Sequence, residues 1–158
     1  MTLKVKYLNK NCKLEIHGDF IDLKSAITYE FTKNNEYTLL PLGVCIELPK
    51  YFIAKAVPRS SNYKRFRILQ TNSIGIIDYD YRGDDDQWFL PTVHFRKRSD
   101  PNITIMEGER VAQFEVVPSQ FAPWWVKLKW LFTSNIKLVE VDKLNNKNRG
   151  GIGSTNKN

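Results

Sequence analysis

Residues 72–83 read NSIGIIDYDYRG, and the fold of the chain turns on how this stretch is read. An Ile76-Ile77 pair runs into Asp78, Tyr81 follows three residues later, and glycines stand at 75 and 83. Apolar β-branched residues closing on a cluster of Asp and Gly describe a β-hairpin. Its polar groups then gather at the tip, over a cavity. Taken alone, the stretch reads equally well as an ordinary hairpin with solvent-facing acids, because turns are naturally rich in Asp and Gly.

The sequence on either side keeps the same period. Leu3, Val5 and Tyr7 alternate with Lys4 and Lys6, Leu14 and Ile16 with Lys13 and Glu15, and Val44, Ile46 and Leu48 with Cys45 and Glu47. Period-two alternation marks half-buried strands. Many short strands punctuated by Gly, Pro, Asn and Asp predict an all-β sandwich, barrel or jelly roll. A P-loop and a Gly-rich dinucleotide fingerprint are both missing, which argues against a Rossmann-type enzyme. One stretch breaks the pattern. Residues 119–135, SQFAPWWVKLKWLFTSN, carry Trp124, Trp125, Leu128, Leu131 and Phe132 at helical spacing, and Pro123 suits a first helical turn. A short amphipathic helix is predicted there. Its apolar face is expected to pack on its own or a sister subunit, with a protein partner or a membrane surface as alternatives. From Lys143 onward Asn, Lys, Gly, Ser and Thr dominate, the composition of a mobile tail. The expected organisation is a β domain over 1–142 and a C-terminal tail over 143–158.

The 158 residues are enough for one domain with a real core. No run of about 18 apolar residues exists to span a membrane, and the first ten residues have no apolar core of a signal peptide. Cys12 and Cys45 lack metal-ligand spacing and read as reduced thiols of a cytoplasmic protein. With His17 and His94 as the only histidines, a protein-ligated zinc site is not expected. The net charge of +7 draws anions, so nucleic acid, anionic lipid and nucleotide phosphates all qualify as partners. The basic clusters Lys64, Arg65, Arg67 and Arg96, Lys97, Arg98 lie in no nucleic-acid-binding motif, and no nucleic acid is expected as partner.

Four further segments decide what the hairpin does. Pro58-Arg59-Ser60-Ser61 follows a strand, Gly108-Glu109-Arg110-Val111-Ala112-Gln113-Phe114 leads into one, and Arg149-Gly150-Gly151-Ile152-Gly153-Ser154-Thr155 lies near the C-terminus. Ile21-Asp22-Leu23-Lys24-Ser25-Ala26 stands ahead of them. In this order and spacing, over about residues 18 to 155, the set resembles the five motifs of the trimeric dUTPase family. Four match closely and the first, with Asp22, more loosely. The resemblance implies a jelly-roll subunit, a homotrimer with shared sites, and hydrolysis of dUTP to dUMP and pyrophosphate, which limits uracil in DNA and supplies dUMP for dTMP synthesis. It further implies that the first, second and fourth motifs come from one subunit, the third from a neighbour, and the fifth from the remaining subunit.

The roles follow from the motif positions. Asp78 is the motif's acid, suited to orienting and deprotonating the attacking water. Tyr81 is implied to pack on the C2′ face of the sugar and exclude a ribose hydroxyl. Asn72 stands at the base-reading position, and the backbone from Gly75 through Ile77 to Tyr81 is implied to read the uracil edge. Arg59, Ser60, Ser61 and Gln113 suit phosphate oxygens, and Arg149, Gly153, Ser154 and Thr155 are implied to clamp the β and γ phosphates. Mg²⁺ accompanies the triphosphate, touched by Asp22 and Gln113 through water. Arg110 is read as structural, pairing with an acid across the trimer. Two positions depart from the family pattern. Ile152 stands where many members carry a Phe over the uracil, and Asn156 replaces a Gly. Trp88 and Phe89 follow the third motif closely, and Phe89 is the candidate replacement lid.

PRSS and an Ile-Asp acid also occur in dCTP deaminases and bifunctional deaminase–diphosphatases of the same fold. The RGGIGST tail favours the diphosphatase. A dUTPase-like regulator that binds a protein through residues 119–135 is the non-enzymatic alternative.

Overall fold

The computed structural model describes residues 1–32, 35–95, 101–132 and 135–150. Over these the alternating segments become strands β1 (Thr2–Tyr7), β2 (Glu15–His17), β3 (Phe20–Lys24), β4 (Tyr29–Phe31), β5 (Tyr37–Pro41), β6 (Val44–Glu47) and β7 (Phe52–Pro58). The second half supplies β8 (Ile68–Gln70), β9 (Gly75–Ile77), β10 (Phe89–His94), β11 (Ile103–Ile105), β12 (Arg110–Pro118) and β13 (Lys137–Glu140). Two helices, α1 (Asn62–Phe66) and α2 (Trp124–Leu131), interrupt them. The fold is the expected all-β jelly roll, distorted and not closed into a barrel. Its largest sheet runs β2-β3-β12-β7-β9, and smaller sheets run β13-β1-β6, β5-β10-β8 and β11-β4.

The long β12 organises the molecule. Val111, Ala112, Phe114 and Val116 are buried along it, and it pairs antiparallel with β3 on one side and β7 on the other. Leu3, Val5, Ile46 and Leu90 belong to the same continuous core. Burying each such aliphatic side chain stabilises the fold by about 1.5–3 kcal/mol. Trp88 lies at the centre, edge-on to Phe114 at 5.0 Å between ring centroids.

Two details differ from the sequence reading, and a third is only partly met within the chain. Ile16 is exposed, because β2 is an edge strand that covers only its neighbour β3. Cys45 is buried although its neighbours Val44 and Ile46 face the core; its Sγ lies 3.4 Å from the carbonyl oxygen of Asp84, so the loop after the hairpin covers that side of β6. The helix forms directly after Pro123, as expected, and its own chain covers only part of its apolar face. Val126 is buried and Trp125 stands edge-on to Tyr51 at 6.4 Å, while Trp124 is 75% and Phe132 84% exposed.

Candidate functional site

β9 is the outermost strand of the largest sheet. It pairs with β7 alone, Gly75 opposite Ala56 and Ile77 opposite Ala54. Among the described residues no strand pairs with its outer edge, so one row of its backbone N–H and C=O groups is left to a ligand. The approach to β9 is a tight turn in which the Ile74 N–H donates to the Asn72 carbonyl at 2.5 Å and Ser73 adopts a φ of 55°. Beyond β9 the Tyr81 N–H donates to the Asp78 carbonyl at 3.0 Å, which turns the chain back toward the core.

These turns enclose a cavity of about 250 Å³ lined by Asn72, Gly75, Ile77, Asp78, Tyr81 and Phe89, together with Arg149 from the C-terminal segment. The Tyr81 hydroxyl donates to the Gln87 carbonyl at 2.7 Å, which fixes the ring. Burial, reinforced by the charge of Asp86, pushes that phenol up to about 12, so it stays neutral at any working pH. Asp78 is 53% exposed at the mouth, and Arg149 Nη1 donates to its Oδ2 at 3.2 Å. Gln70 Nε2 donates to Asn72 Oδ1 at 2.8 Å and to the Ala56 carbonyl at 3.2 Å. That bond takes up the oxygen of the Asn72 amide and leaves its nitrogen as the donor for a ligand. Of the two aromatics after the hairpin, Trp88 is 1% exposed and belongs to the core, while Phe89 is half-buried at the cavity wall.

A second cluster lies on the other edge of β12. Gln113 sits opposite Asp22 of β3 and Val57 of β7. Asp22, 2% exposed, forms an ion pair with Arg59, accepts from Arg110 Nη1 at 3.4 Å, and lies 3.1 Å from His17 Nδ1. Arg110 therefore finds its acid within its own chain. Ser60 and Ser61 precede α1, which is tied to β12 by Asn62 Nδ2 donating to the Val111 carbonyl at 2.5 Å and by the Arg65–Glu109 ion pair at 2.9 Å. Strand pairing thus gathers Asp22, Arg59, Ser60, Ser61 and Gln113, and none of them lines the Asp78 cavity. The chain thus presents two separate polar clusters. Ile152, Gly153, Ser154 and Thr155, with Asn156, lie outside the described residues.

Glu15, His17 and Asp22 each offer a ligand atom within 4.8 Å of the others. With Arg59 and Arg110 already on Asp22, this group is neutralised by cations and is a poor direct seat for a divalent ion. The sequence reading also missed residues. Gln70 orients Asn72, and the run Asp84-Asp85-Asp86 holds residues 144–150 through backbone and side-chain hydrogen bonds. The signal for the second was three adjacent acids in a chain of net charge +7.

Comparison with known proteins agrees with this geometry. The dUTPase family model matches residues 20–124. The chain is 41% identical over 159 residues to the SPbeta prophage-derived deoxyuridine 5′-triphosphate nucleotidohydrolase YosS of Bacillus subtilis (strain 168), covering 98% of each. The crystal structure of a dUTPase from Streptococcus mutans superposes with a TM-score of 0.63 at 25% identity, over 74% of this chain and 93% of that one. A substituted dUTPase from phage phi11 of Staphylococcus aureus, described as coordinating a structural Mg(II) ion, shares the fold at 18% identity, with a TM-score of 0.65 over 78% of this chain and 94% of that one.

Proposed function

The chain belongs to the dUTPase family, and from that premise we propose how its residues divide the hydrolysis of dUTP to dUMP and pyrophosphate. Asp78 orients a water and takes its proton as the oxygen attacks the α-phosphorus. The bond from that phosphorus to the α–β bridging oxygen breaks, and pyrophosphate leaves. The observation that carries this reading is the placement of Asp78 at the mouth of a cavity whose walls are Tyr81, Asn72 and the unpaired edge of β9.

The free β9 edge from Gly75 to Ile77 suits the alternating donors and acceptors of uracil, and the Asn72 amide nitrogen adds a donor. A wall of this kind rejects cytosine, whose pattern is reversed. The Tyr81 ring, held through its hydroxyl, occupies the space a ribose 2′-hydroxyl needs. Arg59, Ser60, Ser61 and Gln113 act on the phosphates from a neighbouring subunit's half-site, which explains why they lie apart from Asp78 in one chain. Arg149 supplies charge beside Asp78, and Gly153, Ser154 and Thr155 follow it onto the β and γ phosphates. Residues 1–142 form the β domain and 143–158 its arm.

Members of the family depend on a metal, and Mg²⁺ is the ion we assign, supplying neutralisation of the triphosphate charge. Asp22 is already taken by Arg59, Arg110 and His17, so it and Gln113 would reach the ion through water. Asp22's nearer task is to hold Arg59. No described helix is long and apolar enough to cross a membrane, and the two unpaired, buried thiols fit a cytoplasmic setting.

The test is incubation with dUTP, dCTP and UTP plus Mg²⁺, following pyrophosphate and ammonia separately. Pyrophosphate is expected from dUTP and ammonia from none; ammonia from dCTP makes the chain a deaminase instead. Asp78→Asn is expected to lower kcat by about three orders of magnitude or more while dUTP binding stays measurable. Near-normal turnover of that variant rejects Asp78 as the base. A second reading, a protein-binding role for α2, rests on its uncovered apolar face. Deleting 119–135 and measuring turnover with the oligomeric state separates the two: loss of the trimer assigns the face to a sister subunit.

A further inference from the structure

The amide of Asn72 has a polarity, and that polarity is set from outside the residue. Gln70 ends β8, in the sheet β5-β10-β8, where it stands opposite Thr92 of β10. Its side chain leaves that sheet and reaches β7 of the largest one, where Nε2 donates to the Ala56 carbonyl at 3.2 Å. The same nitrogen donates to Asn72 Oδ1 at 2.8 Å. Both of its hydrogens are thereby used. The other end of the amide, Oε1, is buried and has no hydrogen-bond partner among the described residues.

A carboxamide is nearly symmetric in shape, so its partners decide which end is the donor. The Ala56 carbonyl is a main-chain group that accepts and cannot donate. Turning the Gln70 amide over would set Oε1 against the Ala56 oxygen and against Asn72 Oδ1. Gln70 therefore presents its nitrogen, Asn72 answers with its oxygen, and the Asn72 nitrogen is the end left for a ligand. That nitrogen lies by the first residue of β9: a Cβ built on Gly75 would stand 3.6 Å from it. Polarity passes from the backbone of β7 through two side chains to the strand assigned to the base. Ala56, Gln70, Asn72 and Gly75 all belong to one chain and line one cavity.

The two pyrimidines differ in what they offer such a donor. Uracil has a carbonyl oxygen at C4, which takes a hydrogen bond. Cytosine has an amino group there, which gives one. We propose that Gln70 is a specificity-determining positioning residue: by holding the Asn72 amide nitrogen toward C4 of the base, it selects uracil over cytosine. This rests on the reading of Asn72 and the β9 edge as the wall that meets the base. It moves part of the selection to a residue outside the motif that begins at Asn72.

Pyrophosphate release from dUTP and from dCTP, with Mg²⁺, gives kcat/KM for each, and the ratio of the two is the readout. Gln70→Leu removes the donor at similar volume and frees the Asn72 amide to turn. The ratio of dUTP to dCTP is expected to fall about tenfold, with the loss for dUTP carried by KM. Gln70→Glu keeps the shape and replaces the donor by an acceptor. Asn72 then turns its nitrogen to the carboxylate and its oxygen to the base, and the ratio is expected to fall about a hundredfold as dCTP gains. A ratio unchanged in both variants overturns the proposal, including where both substrates slow together, as a residue that only holds the fold would make them do. Asn72→Ala tests the wall itself. A lowered ratio there, with none in the Gln70 variants, rejects the role of Gln70 alone. A wild-type ratio there means that Asn72 does not read the base, and the role of Gln70 falls with that reading.

Discussion

Trp88 and Phe89 are consecutive aromatics with opposite duties. Strand alternation points Trp88 into the core, where it meets Phe114, and turns Phe89 toward the cavity beside Tyr81. Ile152 stands where the family commonly has a Phe, and Phe89 lines the cavity beside Tyr81, so the proposed lid role of Phe89 can be tested directly. Stacking of a base on an aromatic ring is worth about 1–3 kcal/mol, so Phe89→Ala is expected to weaken binding of a non-hydrolysable dUTP analogue by about tenfold or more. Titration calorimetry checks it, with Ile152→Ala as the comparison. Equal losses in the two variants reject Phe89 as the lid. The clustering was legible in the sequence: Asp78, Tyr81 and Asn72 line one cavity. Gln70 was not legible, since its bond to the Asn72 amide two residues on depends on how the turn after β8 folds back, which the residue types alone do not encode.

At the scale of elements, the strands were readable wherever one face is buried and the other solvated, as in β1 and β12. Cys45 and Ile16 escaped because a loop covers one and nothing covers the other. Residues 143–150 escaped for a different reason. Their docking uses carboxylates and backbone amides, which leave no apolar period, so composition alone describes a mobile tail. The dock has its own pH signature. The Leu144 N–H above all, with Lys6, holds the Asp84 carboxyl below the usual carboxylate range. A depressed folded value means that this contribution is complete above the ordinary range near 3.8 and is lost as pH falls through the lowered one. Acidification below the ordinary carboxylate value near 3.8 is therefore expected to release the Leu144 and Asn145 amides before those of β12. Amide exchange by NMR follows it; simultaneous loss along β12 and the arm contradicts a separate release.

For the whole molecule the same linkage runs the other way at high pH. Burial, above all other causes, pushes the thiols of Cys12 up to about 11 and Cys45 up to about 12, and the phenol of Tyr81 up to about 12. Groups raised in the fold contribute stability in full below their unfolded values and lose it as pH climbs through the folded ones. For the thiols that window opens near 9, so melting temperature is expected to fall from about pH 9.5 upward. Thermal melts across that range test this. At pH 8 the folded thiols are expected to react with iodoacetamide at least about a hundredfold more slowly than in denaturant, because the thiolate is the reactive form. Equal rates contradict burial of the two cysteines. The net charge of +7, unattached to any nucleic-acid motif, suits steering of a triphosphate.

The close approach of Gly83 to Asn148 has a consequence for substitution. A Cβ at position 83 would stand 2.5 Å from Asn148 Cα and 2.8 Å from its backbone nitrogen, so any other residue there must push the backbone of residues 144–150 away from Asp84, Asp85 and Asp86.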